Sequence, residues 1–111
     1  KGRYLMSLTS DLIRGHTETI ILAQLLKKDS YGYEINKSIQ QTTHGEYELK
    51  EATLYSAFRR LENAELIESY WGDETTGARR RYYRITPLGR EIYRKNREDW
   101  EYTKKLIDRL I

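Results

Sequence analysis

The sequence has no cysteine in its 111 residues. Disulfides, thiolate nucleophiles and cysteine-ligated zinc are therefore excluded, and the chain suits a reducing compartment. Long apolar runs are missing too: the longest stretch, Thr19 to Leu26, is far shorter than the roughly 20 residues a membrane-spanning helix needs. No signal-peptide pattern precedes it, and a soluble, cytoplasmic protein is expected. The two histidines, His16 and His44, stand apart with no second ligand at helical spacing, so no metal site is expected. Ser30 and Ser56 lack the glycines of a nucleophile elbow, and there is no glycine-rich phosphate loop or arguable pair of glycosidase carboxylates. The reading is of a protein without catalysis and without a cofactor. An excess of one charge is also absent. The formal net charge is +3, too small to mark a nucleic-acid binder by itself.

The chain's length suits one domain with a small core. With hydrophobic residues at 38% and charged residues at 33%, it has little apolar surface to spare, and help from a partner subunit is expected. The charge is segregated rather than large. Between Glu68 and Ile85 the acids Glu68, Asp73 and Glu74 precede or occupy a turn, and four arginines come after it.

The most informative stretch is Lys50 to Leu66, KEATLYSAFRRLENAEL. Leu54, Phe58 and Leu61 recur at helical spacing and predict a core-facing stripe. The opposite arc carries Ala52, Tyr55, Ser56 and Arg59, with Thr53 and Arg60 to one flank. Such a face is either solvated or suited to a DNA groove, because small residues permit close approach while hydroxyls and arginine bond phosphates or bases. Two strands come next, Ile67 to Trp71 and Arg79 to Thr86, around the polar turn Gly72 to Ala78. In the second, Arg81, Tyr83 and Ile85 alternate with Tyr82, Arg84 and Thr86, so one face can pack. Arg79, Arg80 and Arg81 stand at the base of the turn, well placed to meet phosphates. A helix followed by a basic hairpin is the order of a winged helix.

At these residues the sequence resembles a known family. The string EATLYSAFRRLENAELIESYWGDETTGARRRYYRIT, with the earlier DSYGYEI, closely resembles the PadR family of winged-helix transcriptional regulators from about Leu12 onward. The pairing of YGYEI, ATLY and the GARRRYY wing is far more specific than any one motif. The resemblance implies a dimeric DNA-binding repressor. Because a single helix's worth of chain lies beyond the wing, it also implies the short subfamily that includes multidrug-sensing members.

Around this centre, Thr9 to Lys28 predicts a helix with Leu8, Leu12, Leu22 and Leu26 on one stripe and Ile13, Ile20 and Ala23 beside it. Thr9, Ser10 or Asp11 is the expected cap, and Gly15 the expected place for a bend or a close contact. A second helix is expected over Tyr33 to Thr42, with Tyr31, Ile35 and Ile39 spaced by four and Gly45 as its C-terminal glycine. In the family this helix crosses the DNA backbone, which places Tyr33 and Lys37 near phosphate; core packing of Tyr33 is the competing reading. Thr86 and Pro87 open a last helix to Ile111 as N-cap and first helical residue. Its apolar residues are sparse: Leu88, Ile92, Tyr93, Trp100 and Ile107, then Leu106, Leu110 and Ile111, with Arg94 to Asp99 wholly polar. Pairing with a second chain is the economical explanation. Trp100 reads as an anchor in that interface. The resemblance adds a second role, since multidrug-type members carry a tryptophan in a similar REDW context that stacks flat aromatic compounds; Asp99 and Glu101 would suit a cationic one.

The expected fold is mainly α (α+β): a winged helix-turn-helix over residues 1–86, whose first helix shares the dimer interface, and a dimerisation helix over 87–111. The expected DNA-binding residues are Tyr33, Lys37, Lys50, Ala52, Thr53, Tyr55, Ser56, Arg59, Gly77, Arg79, Arg80 and Arg81. The expected dimer interface comprises Leu8, Leu12, Ile92, Tyr93, Trp100, Ile107 and Leu110, with Trp100 and Asp99 as candidate ligand contacts. The expected partners are double-stranded DNA at an inverted repeat, a second copy of the chain and a small planar aromatic effector. The rival readings are a winged helix that binds protein, and a DNA-binding regulator without a small-molecule pocket.

Overall fold

The structure is a computed structural model that describes residues 11–73 and 79–111. The chain is helical from residue 11, tightens into a 3₁₀ turn at Arg14–His16, and continues as α1 (Thr17–Lys27). Then come α2 (Gly32–Thr42), α3 (Glu51–Asn63), strands β1 (Ile67–Trp71) and β2 (Arg81–Ile85), and the long α4 (Pro87–Leu110). This is the expected mainly helical winged helix-turn-helix, with a two-stranded antiparallel wing.

The first helix corrects the sequence reading. It is interrupted where Gly15 stands, and the 3₁₀ turn shifts the helical phase of α1 relative to residues 11–13. The buried residues of α1 include Ile21, Leu22 and Leu25, whereas Leu26 is only half-buried and Leu12, assigned to the same stripe, is 79% exposed. Leu8 and the candidate caps Thr9 and Ser10 lie outside the described residues. In α2, Ile35 and Ile39 are buried as expected, and Tyr31 just before the helix is half-buried. The helix ends through Gly45, whose φ of +81° lets its N–H reach back to the Gln40 carbonyl at 2.7 Å.

Leu54, Ala57, Phe58 and Leu61 are all buried, so α3 is anchored by the expected stripe. It ends earlier than Leu66. Glu65 turns left-handed (φ +63°) and the Leu66 N–H bonds the Leu61 carbonyl at 2.9 Å, which closes the helix and aims the chain into β1. The strands pair in register from Ile67↔Ile85 to Trp71↔Arg81. Alternation turns Tyr83 and Ile85 inward, and the Tyr83 ring stacks on Phe58 with centroids 3.8 Å apart. Ser30, between α1 and α2, adds a bridge to the sheet by exchanging backbone hydrogen bonds with Tyr83 at 2.9 and 3.2 Å.

Thr86 caps α4 by accepting from the Gly89 N–H at 3.0 Å, while its hydroxyl donates to the Glu65 carbonyl at 2.7 Å. The start of α4 is thus fastened to the end of α3. Ile92 and Tyr93 then pack half-buried against the core, and Asn96 donates to the Thr19 hydroxyl at 2.9 Å across α1. Further along, helical-spacing ion pairs dominate, including Arg94–Glu98 at 3.0 Å and Arg97–Glu101 at 3.1 Å. Such exposed pairs support a polar helix but do not dock it.

The α3–α4 junction leaves no room for a side chain at Gly89, where a Cβ would lie 2.1 Å from the Leu66 carbonyl oxygen. Gly89→Ala should lower stability by about 2 kcal/mol or more in urea unfolding, because backbone must move. At Gly32 a Cβ would meet the Tyr55 hydroxyl at 2.7 Å. That group ends a side chain that can swing aside, so Gly32→Ala should cost less. Equal losses for the two variants would contradict the packing described.

Candidate nucleic-acid interface

The outward face of α3 carries Ala52, Thr53, Tyr55 and Arg59, all exposed, with Ser56 half-buried beside them. Arg60 is drawn off this face. Its Nε donates to Glu18 on α1 at 2.6 Å and its Nη1 to the Ser56 hydroxyl at 3.1 Å. Lys50 precedes the helix, exposed, and its carbonyl accepts the Leu54 N–H at 2.9 Å.

The position of α3 is set by a residue that the sequence reading passed over. Asn36 on α2 donates from Nδ2 to the Leu49 carbonyl at 2.7 Å, and its Oδ1 accepts the Leu49 N–H at 2.8 Å. This side chain replaces a strand partner for the connector between α2 and α3, residues 43–50, and fixes where α3 begins. Its partner, Leu49, lies 13 residues further on, and no local pattern in the sequence marks the pair. Tyr55 is also partly structural: it lies against Gly32, stands edge-on to Phe58 at 5.4 Å, and is 40% exposed. Tyr33 is 68% exposed at the start of α2, which removes the core-packing reading, and Lys37 is exposed one helical turn beyond it. Tyr33, Lys37, Tyr55 and Glu51 line a single groove between α2 and α3.

In the wing, the arginines splay rather than cluster, because neighbouring residues of a strand point to opposite faces. Arg80 lies over the Tyr31 ring at 5.0 Å, toward α2, whereas Arg81 turns toward α3 and meets Glu62 at 3.4 Å. Arg79 lies over Trp71 at 5.5 Å. Gly77 lies outside the described residues. Arg84 is bound within the fold, over Tyr70 at 4.8 Å and near Glu68 and Asp29 at 3.3 and 3.9 Å. Tyr82 joins this arrangement edge-on to Tyr31 and stacked on Tyr70, with centroids 5.3 and 5.7 Å away. The Tyr70 hydroxyl donates to Asp29 at 2.6 Å. That hydrogen bond, then partial burial and the Asp29 charge, holds the phenol above its usual range. These contacts fasten the wing to the start of α2, while Arg81 ties it to α3 through Glu62.

The candidate dimer and ligand residues fall elsewhere. On α4, Trp100, Ile107 and Leu110 are 37%, 45% and 73% exposed, while Ile92 and Tyr93 already pack on the chain's own core. Trp100 meets His16 edge-on at 4.8 Å, and Lys104 lies 5.7 Å from its ring centre. An open groove of about 350 Å³ runs between α1 and α4 here, lined by His16, Thr19, Tyr93, Arg97 and Trp100 among others. Asp99 is not in the groove lining; it pairs with Lys95 at 3.8 Å. Among the described residues no cluster of three or more potential metal ligands occurs, and no helix is long and apolar enough to cross a membrane.

A helix-turn-helix whose second helix leads into a basic two-stranded wing defines a winged-helix protein. Comparison with known proteins specifies which kind. Residues 21–95 match the transcriptional regulator PadR-like family. The chain is similar to a transcriptional regulator from Clostridium thermocellum, at 54% identity over 92% of this chain and 99% of that one, with a TM-score of 0.84. It is also similar to a PadR family regulator from Eggerthella lenta, at 30% identity over 97% and 92% of the two chains, with a TM-score of 0.83. An uncharacterised protein of Lysinibacillus sphaericus is 48% identical over 89% of this chain and 91% of its own length. The chain belongs to the PadR-like family of transcriptional regulators. It is a DNA-binding regulator by class, not an enzyme.

Asn36→Ala leaves the N–H and carbonyl of buried Leu49 without partners. It should cost about 1–3 kcal/mol in urea unfolding. At equal folded fraction it should also weaken DNA binding, through a displaced start of α3. Unchanged stability would show that the connector is held by other contacts.

Proposed function

We propose that the chain is a repressor that binds palindromic operator DNA as a homodimer and is released by a small planar aromatic effector. The observation that carries this reading is the division of α3: one face wholly buried, the other presenting Ala52, Thr53, Tyr55 and Arg59 beside Tyr33, Lys37, Lys50, Arg79 and Arg80. The small and hydroxyl-bearing residues admit the helix to a major groove, and the flanking cations meet phosphates. Ser56 and Arg81 complete the set as residues whose protein contacts exchange for DNA contacts. In the dimer two such helices stand about 34 Å apart, in successive major grooves.

Residues 87–111 form the dimerisation helix in this reading, with Leu12 of the first helix beside it. The support is apolar surface that the chain does not cover itself: Tyr102 is 66% exposed, Leu110 73% and Leu12 79%. The effector occupies the Trp100 groove and favours a spacing of the two heads that no longer fits the operator, with leverage set by its differential affinity for the two states. Arg97 lines that groove and Lys104 sits near the Trp100 ring, while Glu101 is paired with both. A neutral or acidic ring is therefore expected to bind better than a cation.

Two measurements test the reading. DNA affinity should fall steeply with salt, and replacing Arg79 and Arg80 by Ala should reduce the log–log slope by about one unit per lost phosphate contact. An unchanged slope removes the wing from the interface. In a Trp71→Phe background, planar aromatic compounds that release DNA should quench Trp100 fluorescence. Release without quenching places the effector elsewhere.

A further inference from the structure

We infer that Glu51, the first residue of α3, is a specificity-determining residue that reads a cytosine in each operator half-site; the inference rests on the DNA-binding reading above. A carboxylate on a surface that meets phosphates lowers affinity for every DNA sequence unless it finds a hydrogen-bond donor. The other carboxylate of α3, Glu62, has found its donors within the protein, as have Glu68 of β1 and Glu48 before the helix. Glu62 accepts from Ser69 at 2.8 Å and pairs with Arg81, Glu68 pairs with Arg84 at 3.3 Å, and Glu48 accepts from Gln40.

Glu51 differs. It is exposed and, among the described residues, its carboxylate takes no ion pair or side-chain hydrogen bond, although Lys50 precedes it and Lys37 lines the same groove. It stands one helical turn before Tyr55, on the flank of α3 that borders Tyr33. The helix dipole accounts for an acid being tolerated at this end, but not for its remaining unpaired between two lysines on the face that approaches DNA.

The first residues of a recognition helix approach the base edges most closely. Ala52, exposed and small, keeps that approach open. The donors in the major groove are the exocyclic amines of cytosine and adenine. The adenine amine is flanked by two acceptors, its own N7 and O4 of the paired thymine, whereas the cytosine amine has one, O6 of the paired guanine, and is open to a carboxylate on its other side. An acceptor-only side chain at this position therefore selects cytosine.

The test is selection from random double-stranded oligonucleotides with the full chain, its Glu51→Gln and Glu51→Ala variants, and thermal unfolding of all three as a control on folding. The wild type should require cytosine at one position per half-site, losing between about 5-fold and 100-fold in affinity when it is replaced. E51Q, which can both accept and donate, should move the preference toward adenine, and E51A should lose it at that position alone. If E51Q and E51A select the wild-type sequence at every position, and only bind all DNA more tightly, Glu51 is a repulsive charge and the assignment is overturned by itself. A wild type that selects no sequence overturns the operator reading, and this assignment with it.

Discussion

The stack of Phe58 on Tyr83 is the contact on which the proposed DNA interface depends. It joins the buried side of the recognition helix to the inward side of the second wing strand, with centroids 3.8 Å apart and both rings almost fully buried. Burying a ring of this size contributes roughly 2–3 kcal/mol, a sizeable share of the stability of a small domain. More important is what it aligns. The same residue, Tyr83, takes the backbone bridge from Ser30, so α2, α3 and wing are registered to one another through a single strand position. A DNA-reading surface assembled from three elements needs such a registration, because a shift of the helix against the wing would separate base contacts from phosphate contacts.

In the proposed interface the arginines around this core are shared between folding and binding. Arg81 and Arg84 are held by Glu62, Glu68 and Asp29, while Arg79 and Arg80 lie over Trp71 and Tyr31. Exposed ion pairs and cation–ring contacts are each worth about 1 kcal/mol or less. They orient the guanidinium groups at little cost to binding, since a phosphate can displace such partners. The aromatic residues Tyr31, Tyr70 and Tyr82 serve as a bracket that holds the basic strand close to α2.

Much of this was legible in the sequence, for reasons specific to each element. The period of Leu54, Phe58 and Leu61 identified α3 and its two faces, and strand alternation put Tyr83 and Ile85 on one face, which the structure turns inward. Thr86 and Pro87 marked the start of α4 because cap chemistry is local. Phase was lost at Gly15, since a 3₁₀ turn changes the angular step and periodicity alone does not register it. Asn36 and the splay of Arg80 and Arg81 were hidden because their partners, Leu49, Tyr31 and Glu62, are brought near only by tertiary folding. The candidate ligand residues showed the same limit: Trp100 does border a groove, but the charges beside it are Arg97 and Lys104, both paired with Glu101, while Asp99 pairs with Lys95 away from the groove.

The central claim is that α4 pairs two chains so that two recognition helices address one face of DNA. Hydroxyl-radical footprinting on a selected high-affinity duplex tests it most directly. The account predicts two protected segments related by a two-fold axis, centred about 10 base pairs apart. A single protected segment, or two in direct rather than inverted orientation, would contradict it.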